Sequence, residues 1–404
     1  MARVLMIPHA PGGTLAHLAA CLAVAAALRD RAHEPTFAYG GSRPDLLERA
    51  GFEWHPVVEA HGPMYWEWFD SAEHLERMVS SQLELIERLN PAVCVTSAGF
   101  GGIAAQIAGV PGLALMHGLS GSPYGRPAVR PWMLRDAARH PIRLLGHLRG
   151  RRSRPERKQA RAIIVEVRRR WRLPPLDRGG VLDRADLVAC TTAPFLDPSR
   201  GLPAHWRYVG PLSYGDDGGG ALPAATEAPR IYVSQGSTGS AELLRDTVAE
   251  LSAEGLGIVV STGGLCKPEE LRELGPGVIA AEIVDTRSEL QAADVAVIAG
   301  GHMTAMEALR SGTPTVVIPH TRQQATGALR AERLRTGVAL WPRVREGAIA
   351  RATRRILRDD GYSTRAGELA ARLNADWDGN ARAAGLAEAL IDPQRYSPTP
   401  AAGG

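Results

Sequence analysis

The residues with the clearest chemistry lie between Val295 and Gln324. An apolar run, Val295–Ala299, ends on Gly300 and Gly301, and a helical stretch follows with Thr304 and Glu307 near its start. A second apolar run, Thr315–Ile318, stops at Pro319 before His320-Thr321-Arg322-Gln323-Gln324. The pattern reads strand, glycine turn, helix N-terminus, strand, polar loop. A helix start behind a glycine turn offers N–H groups and the positive end of a dipole, which suits a phosphate. A carboxylate one turn in can accept two sugar hydroxyls, and two adjacent amides beyond the next strand can hold more. The expected ligand therefore combines a diphosphate, a ribose and a hexose. Gly301 and Thr304 would face the diphosphate, Glu307 the ribose, and Gln323 with Gln324 the hexose. Thr304 and Glu307 also suit a helix start that binds nothing, as a cap and as a partner for the dipole. His302 reads equally as a phosphate donor or as a surface histidine.

With Gly300-Gly301, Thr304, Glu307-Ala308-Leu309 and Gln324 in these places, the run resembles the nucleotide-sugar glycosyltransferases of the GT-B fold. It departs from their pattern at Ala299, where many members carry His, and at Gln323, where many carry Asp. The Arg322-Gln323-Gln324 run and Glu282-Ile283-Val284-Asp285 are more similar to the N-acetylglucosaminyltransferases that form lipid II. That likeness implies that backbone at Val284 meets the nucleotide base. The resemblance is clear over 230–340, partial over 1–40 and poor between. It implies a donor loop at Gln235-Gly236-Ser237-Thr238-Gly239, with Gly236, Ser237 and Thr238 beside the diphosphate; a tight turn with a capping hydroxyl explains the loop as well. It also implies that Gly13 and Thr14 approach the donor and that His17, closing Gly12-Gly13-Thr14-Leu15-Ala16-His17, is a general base. A helix N-terminus disfavours the imidazolium, which keeps such a ring able to accept a proton. Leu15-Ala16 stands where the lipid II enzymes have two glycines, and Ser213 where they have Arg, which argues against that activity.

The elements that must position these groups follow from the rest of the 404 residues. Strand-like runs at Val4–Ile7, Thr36–Tyr39, Val93–Thr96, Leu113–Met116, Leu187–Cys190 and Tyr208–Val209 alternate with helical stretches such as Leu18–Arg29, Ala72–Leu89 and Gly102–Ala108. The pattern restarts with Ile231–Val233, Ile258–Ser261, Val278–Ala281, Val295–Ala299 and Thr315–Ile318. Such alternation predicts parallel sheets with helices on both faces. The expected fold class is α/β, GT-B, with two doubly wound Rossmann-like domains facing a central cleft. The expected division is an acceptor-binding domain over 1–212, a Gly/Pro-rich linker over 213–229, a donor-binding domain over 230–380, and a C-terminal helix with a disordered tail over 381–404.

Composition narrows the function further. Cys21, Cys94, Cys190 and Cys266 are scattered without paired spacing, which argues against a disulfide framework or a zinc site and fits a reducing cytoplasm. No early run is long enough for a secretory h-region or a bilayer span. No Asp-x-Asp pair follows a strand, so neither a metal nor another cofactor is expected, only a UDP- or dTDP-sugar as co-substrate. From Arg126 to Arg178 the chain carries sixteen Arg and one Lys against four acids, while the whole chain is +4. That segment reads as a solvated helical surface, as a site for an anionic acceptor, or as a membrane-surface patch. It lacks the interleaved aromatics of a nucleic-acid site. Tyr65, Trp66, Trp68 and Phe69 form the single aromatic cluster, read either as an acceptor-pocket lining or as a core-capping loop. The expected activity is an inverting, metal-independent transfer of a hexose or N-acetylhexosamine to a hydroxyl of a small natural-product acceptor. A lipid-linked or phosphorylated acceptor, a sugar-nucleotide hydrolase or epimerase, and a non-catalytic sugar-nucleotide-binding subunit stand as alternatives.

Overall fold

The computed structural model describes residues 1–9, 15–62, 67–97, 101–118, 155–177, 180, 184–199, 201–215, 222, 229–237, 239–341 and 344–394. Its first sheet is built from β1 (Arg3–Pro8), β2 (Glu34–Tyr39), β3 (Trp54–Pro56), β4 (Val93–Ser97), β5 (Gly112–Met116), β6 (Leu187–Cys190) and β7 (Trp206–Tyr208). All pairings are parallel, in the order β3-β2-β1-β4-β5-β6-β7. Helices α1 (Leu15–Arg29), α2 (Pro44–Arg49), α3 (Ala72–Leu89), α4 (Gly101–Ala108) and α5 (Pro155–Arg170) flank it. Every residue of β4 is buried, as a parallel strand covered on both faces must be.

The second sheet repeats the plan with β8 (Arg230–Ser234), β9 (Gly257–Ser261), β10 (Val278–Ala281), β11 (Val295–Ile298), β12 (Thr315–Val317) and β13 (Gly337–Ala339), in the order β10-β9-β8-β11-β12-β13. Around it lie α6 (Ala241–Ser252), α7 (Pro268–Arg272), α8 (Thr286–Ala292), α9 (His302–Ser311), α10 (Arg322–Leu334), α11 (Ala348–Arg358) and α12 (Gly361–Asp376). Both orders reverse direction beside their first strand, the switch point at which doubly wound sheets open a crevice.

A last helix, α13 (Gly379–Ile391), returns to the first sheet. Its Ala383, Ala384, Leu386 and Ala387 are buried with α1 and the first-sheet strands. The crossing is tight. A Cβ on Gly379 would lie 2.1 Å from the Pro211 carbonyl oxygen, and one on Gly210, at φ +99°, would lie 2.9 Å from Trp377. Only glycine lets the two backbones approach so closely. Asp197 and Arg330 add a buried ion pair of 2.7 Å between the first-sheet side and α10.

Strands β3 and β13 were not expected, although the equally short β7 and β12 were. The strand expected at Tyr208–Val209 lies at Trp206–Tyr208, and α1 begins at Leu15, three residues before the apolar run that announced it. The expected polar loop after β12 is a helix start. Thr321 caps α10, with its hydroxyl accepting from Gln324 N, and the Gln324 side chain reaching back to the cap.

Candidate active site

The C-terminal ends of the second-sheet strands border a cavity of about 260 Å³ that α1 closes from the other side. Its lining takes Gln235, Gly236 and Ser237 after β8, Gly263 after β9, Ile283, Val284 and Asp285 after β10, Gly300, Gly301, His302, Thr304 and Glu307 after β11, and Gln324 of α10. Leu15, Ala16, Leu18, Ala19 and Leu22 form the facing wall. Four of these five segments carry residues expected from the sequence; Gly263, after β9, was not among them.

The two glycines of β11's turn do different work. Gly300 has φ +85°, and a Cβ there would sit 2.6 Å from Val317 Cγ1 and 3.0 Å from the Gln324 carbonyl oxygen. It is a glycine so that α10 can press against the turn. Gly301 has φ −55° and caps α9 without a side-chain hydrogen bond, and a Cβ there would meet open space. The start of α9 therefore faces the cavity with its N–H end uncovered by any cap.

Glu307, one turn in, is 6% exposed. Burial raises its pKa, and Ser213, Arg310 and Arg287 offset part of that rise. A carboxylate held this way gains from any pair of hydroxyls that reaches it. Gln324 borders the cavity with Oε1 already accepting from the backbone N–H groups of His320 (2.8 Å) and Thr321 (2.9 Å). That leaves its NH2 as the end able to serve a ligand. Gln323 is exposed and absent from the lining. Ser237 Oγ accepts from Leu15 N at 3.4 Å, so this hydroxyl caps α1 across the cleft. Gly13, Thr14, Thr238, Tyr65 and Trp66 lie outside the described residues, as do 126–154 of the basic segment.

His17 sits on α1 beside the cavity wall rather than within its lining. Its Nδ1 is 2.8 Å from Ser97 Oγ, at the end of β4. Its ring stacks on His117 (centroids 4.9 Å apart, planes 13° apart), and His117 stacks on His302 (5.3 Å, 10°). Trp68 meets His17 edge-on at 5.9 Å. Burial, and then the neighbouring imidazoles of His117 and His9, hold the His17 pKa well below 6.5. Burial lowers those of His117 and His9 to about 4. The stack is therefore neutral at pH 7.

His302 is committed to the other side of the cleft. Its Nε2 donates to the Thr191 carbonyl at 2.9 Å and lies 3.0 Å from Thr191 Oγ1. A carbonyl accepts only, so the proton is on Nε2. Neither surface histidine nor free phosphate donor describes it: it ties α9 to the loop after β6. Trp68 and Phe69, expected in an acceptor lining, are 3% and 2% exposed and packed among the residues of α3, α4 and α5. A ring at that depth stabilises the helical layer, and Trp68 meets the site's histidines with its face on His9 and its edge against His17. Part of the basic segment is likewise structural. The Arg168 guanidinium is buried and donates to the Pro174 carbonyl and Gln106 Oε1, while Arg170 pairs with Glu166, Glu73 and Glu76.

Sequence reasoning missed His117, Ser97 and Thr191. All three stand at or just beyond the C-terminal ends of β4, β5 and β6. A polar residue closing a buried strand at the edge where such sheets bind ligands was the available signal.

Comparisons with known proteins agree with this architecture. Residues 230–340 match the glycosyltransferase family 28 C-terminal domain. The chain is 24% identical over 405 residues to a PGL/p-HBAD biosynthesis glycosyltransferase of Mycobacterium tuberculosis, covering 93% of this chain and 90% of the relative. It is 26% identical over 397 residues to an uncharacterized glycosyltransferase of Methanosarcina mazei, covering 91% and 93%. Among solved structures, the glycosyltransferase of kitacinnamycin superposes with a TM-score of 0.72 at 21% identity, over 96% of this chain and 99% of that one. A spinosyn rhamnosyltransferase complexed with thymidine diphosphate does so with a TM-score of 0.67 at 20% identity, over 96% and 99%. The two facing sheets are those of the GT-B fold. The chain is a glycosyltransferase with the GT-B fold. Among the described residues, no helix is long and apolar enough to cross a membrane.

Proposed function

We propose that this enzyme transfers a hexose or N-acetylhexosamine, with inversion, from a UDP- or dTDP-sugar to a hydroxyl of a small natural-product acceptor. The observation that carries the donor half is the uncapped start of α9 at Gly301, with the buried Glu307 carboxylate one turn further along the same cavity. The diphosphate lies against that helix end, beside Thr304 and the Gly236-Ser237 loop, with Thr238 following. Glu307 takes the ribose hydroxyls, the backbone at Val284 borders the base, and the Gln324 NH2 meets the sugar. Helix dipole and hydroxyls stabilise the departing diphosphate without a metal.

His17 is the general base. In the tautomer that donates Nδ1–H to Ser97 Oγ, 2.8 Å away, Nε2 holds a lone pair for the acceptor proton. The desolvated, low-pKa ring is neutral before the step, and the acceptor oxygen then attacks the anomeric carbon while the nucleotide leaves from the opposite face. No second nucleophile is needed, which is the basis for inversion. The relatives support the acceptor class: one neighbour of the same fold is a spinosyn rhamnosyltransferase complexed with spinosyn aglycone.

The test is transfer from UDP- and dTDP-sugars to a panel of phenolic and polyketide hydroxyl acceptors, on wild type and His17→Ala. The expected result is a product with inverted anomeric configuration, a rate lowered about 10²–10⁴-fold in the variant, and unchanged nucleotide affinity. A variant that transfers at the wild-type rate removes His17 from the chemistry.

A further inference from the structure

Apart from the donor cavity, His61, Asp70 and His74 converge at the segment that carries Trp68. His74 is 2% exposed, and its Nε2 lies 3.2 Å from the Glu59 carbonyl oxygen. A carbonyl can only accept, so Nε2 carries the proton and Nδ1 holds a lone pair. That Nδ1 is buried and has no hydrogen-bond partner. It points at Asp70 Oδ1, 3.7 Å away, and Asp70 Oδ2 lies 3.9 Å from His61 Nε2. The three ligand atoms all lie within 4.8 Å of one another. These gaps are too long for hydrogen bonds, so the groups lie together without bonding each other, the two imidazole rings packed with centroids 4.1 Å apart and planes 43° apart. Around a tetrahedral zinc with bonds of 2.0–2.1 Å, ligand atoms stand about 3.3 Å apart, and small movements of the exposed His61 and Asp70 side chains close the difference.

We propose that His61, His74 and Asp70 form a binding site for one divalent transition-metal cation, with zinc the best match to two imidazoles and a carboxylate. The surroundings fit. The His74 Nε2–H to a backbone carbonyl is the outer-shell bond that orients metal-binding histidines. Asp70 Oδ1 accepts from Ser71 Oγ at 2.9 Å, which holds the carboxylate in place. The site's role is structural. His61 N donates to the Trp68 carbonyl at 2.9 Å, closing the loop whose Trp68 stacks on His9 and meets the edge of His17. A bound cation would fix that loop to the start of α3.

The test is calorimetric titration of the tag-free, chelator-dialysed full chain with Zn²⁺, together with Co²⁺ absorption spectra, on wild type, His61→Ala, Asp70→Asn and His74→Gln. One equivalent is expected in wild type, with a ligand-field band from Co²⁺, a melting temperature raised by Zn²⁺, and affinity lowered at least tenfold in each variant. His61 and Asp70 are exposed, so their variants decide the matter even if His74→Gln does not fold. Zinc uptake unchanged in both exposed variants, or no uptake by wild type at micromolar concentration, overturns the proposal.

Discussion

Replacing Glu307 with Gln separates binding from stability, because the two should move in opposite directions. In the unliganded enzyme Glu307 is a buried carboxylate whose pKa is raised by desolvation. Its folded pKa lies above its unfolded value, so the native state binds the extra proton. Stability from this group is then full in acid and declines as pH rises through and beyond the carboxylate range. At pH 8 the Gln variant, which buries no charge, should melt no lower than wild type, and the advantage should shrink towards pH 5 as Glu307 takes up its proton. Binding should behave otherwise. A hydrogen bond to a charged group is worth about 1.5–3 kcal/mol against about 1 for a neutral pair, so each ribose hydroxyl should lose ~0.5–2 kcal/mol. UDP offers two hydroxyls and dTDP one. The variant should therefore bind UDP about 5- to 900-fold more weakly, and dTDP by the square root of that factor, about 2- to 30-fold. Calorimetric affinities for the two nucleotides, with melting curves at pH 5 and 8, test all of this. Equal losses for UDP and dTDP would mean that the carboxylate shapes α9 without touching ribose. A variant that melts lower at pH 8 would mean that Glu307 stabilises the apo fold, and either result refutes the assignment.

The adjacent glycines make a second test. Gly300→Ala must place a Cβ at 2.6 Å from Val317 and strain a φ of +85°, and should lower stability by about 1–3 kcal/mol in urea unfolding. Gly301→Ala meets only open space at φ −55°, and should leave stability nearly intact while weakening nucleotide binding, read by thermal shift. The buried histidines give a third. His9 and His117 have folded pKa values near 4 against 6.5, so the unfolded chain binds more protons between those values and stability falls as pH falls through that window. Urea midpoints taken from pH 6.5 to 4.5 should show a loss of about 1.4 kcal/mol per pH unit for each histidine, and His117→Gln should flatten the slope by one proton. For the same reason the His17 base should stay competent in acid: transfer rates should remain level from pH 8 to 6, and a fall with a midpoint near 6.5 would place the base elsewhere.

What was legible in the sequence was what is local in the chain. The donor side reads from Gly300 to Gln324 because a strand, its turn, the helix start and the next strand follow one another within a single βαβ unit, and their backbone chemistry is fixed by neighbours in sequence. Most strands read for the same reason, since burial on both faces makes each a continuous apolar run, whereas Trp54-His55-Pro56, half-buried at the sheet's edge, carries no such run. The base side did not read, because its environment is assembled from distant turns. His17 takes Ser97 from the end of β4, His117 from the loop after β5, Trp68 from the segment before α3, and, through the stack, His302 from the other sheet. None of these has a spacing relative to His17 that any local rule detects; only the sheet order, which sets β1, β4, β5 and β6 side by side, brings their C-terminal ends to one edge. The same geometry explains why Gln324 was half read. Its place beside the cavity follows from the strand before it, but the commitment of its Oε1 to the cap of α10 depends on Thr321 being a helix start, which the polar run His320–Gln324 disguised as a loop.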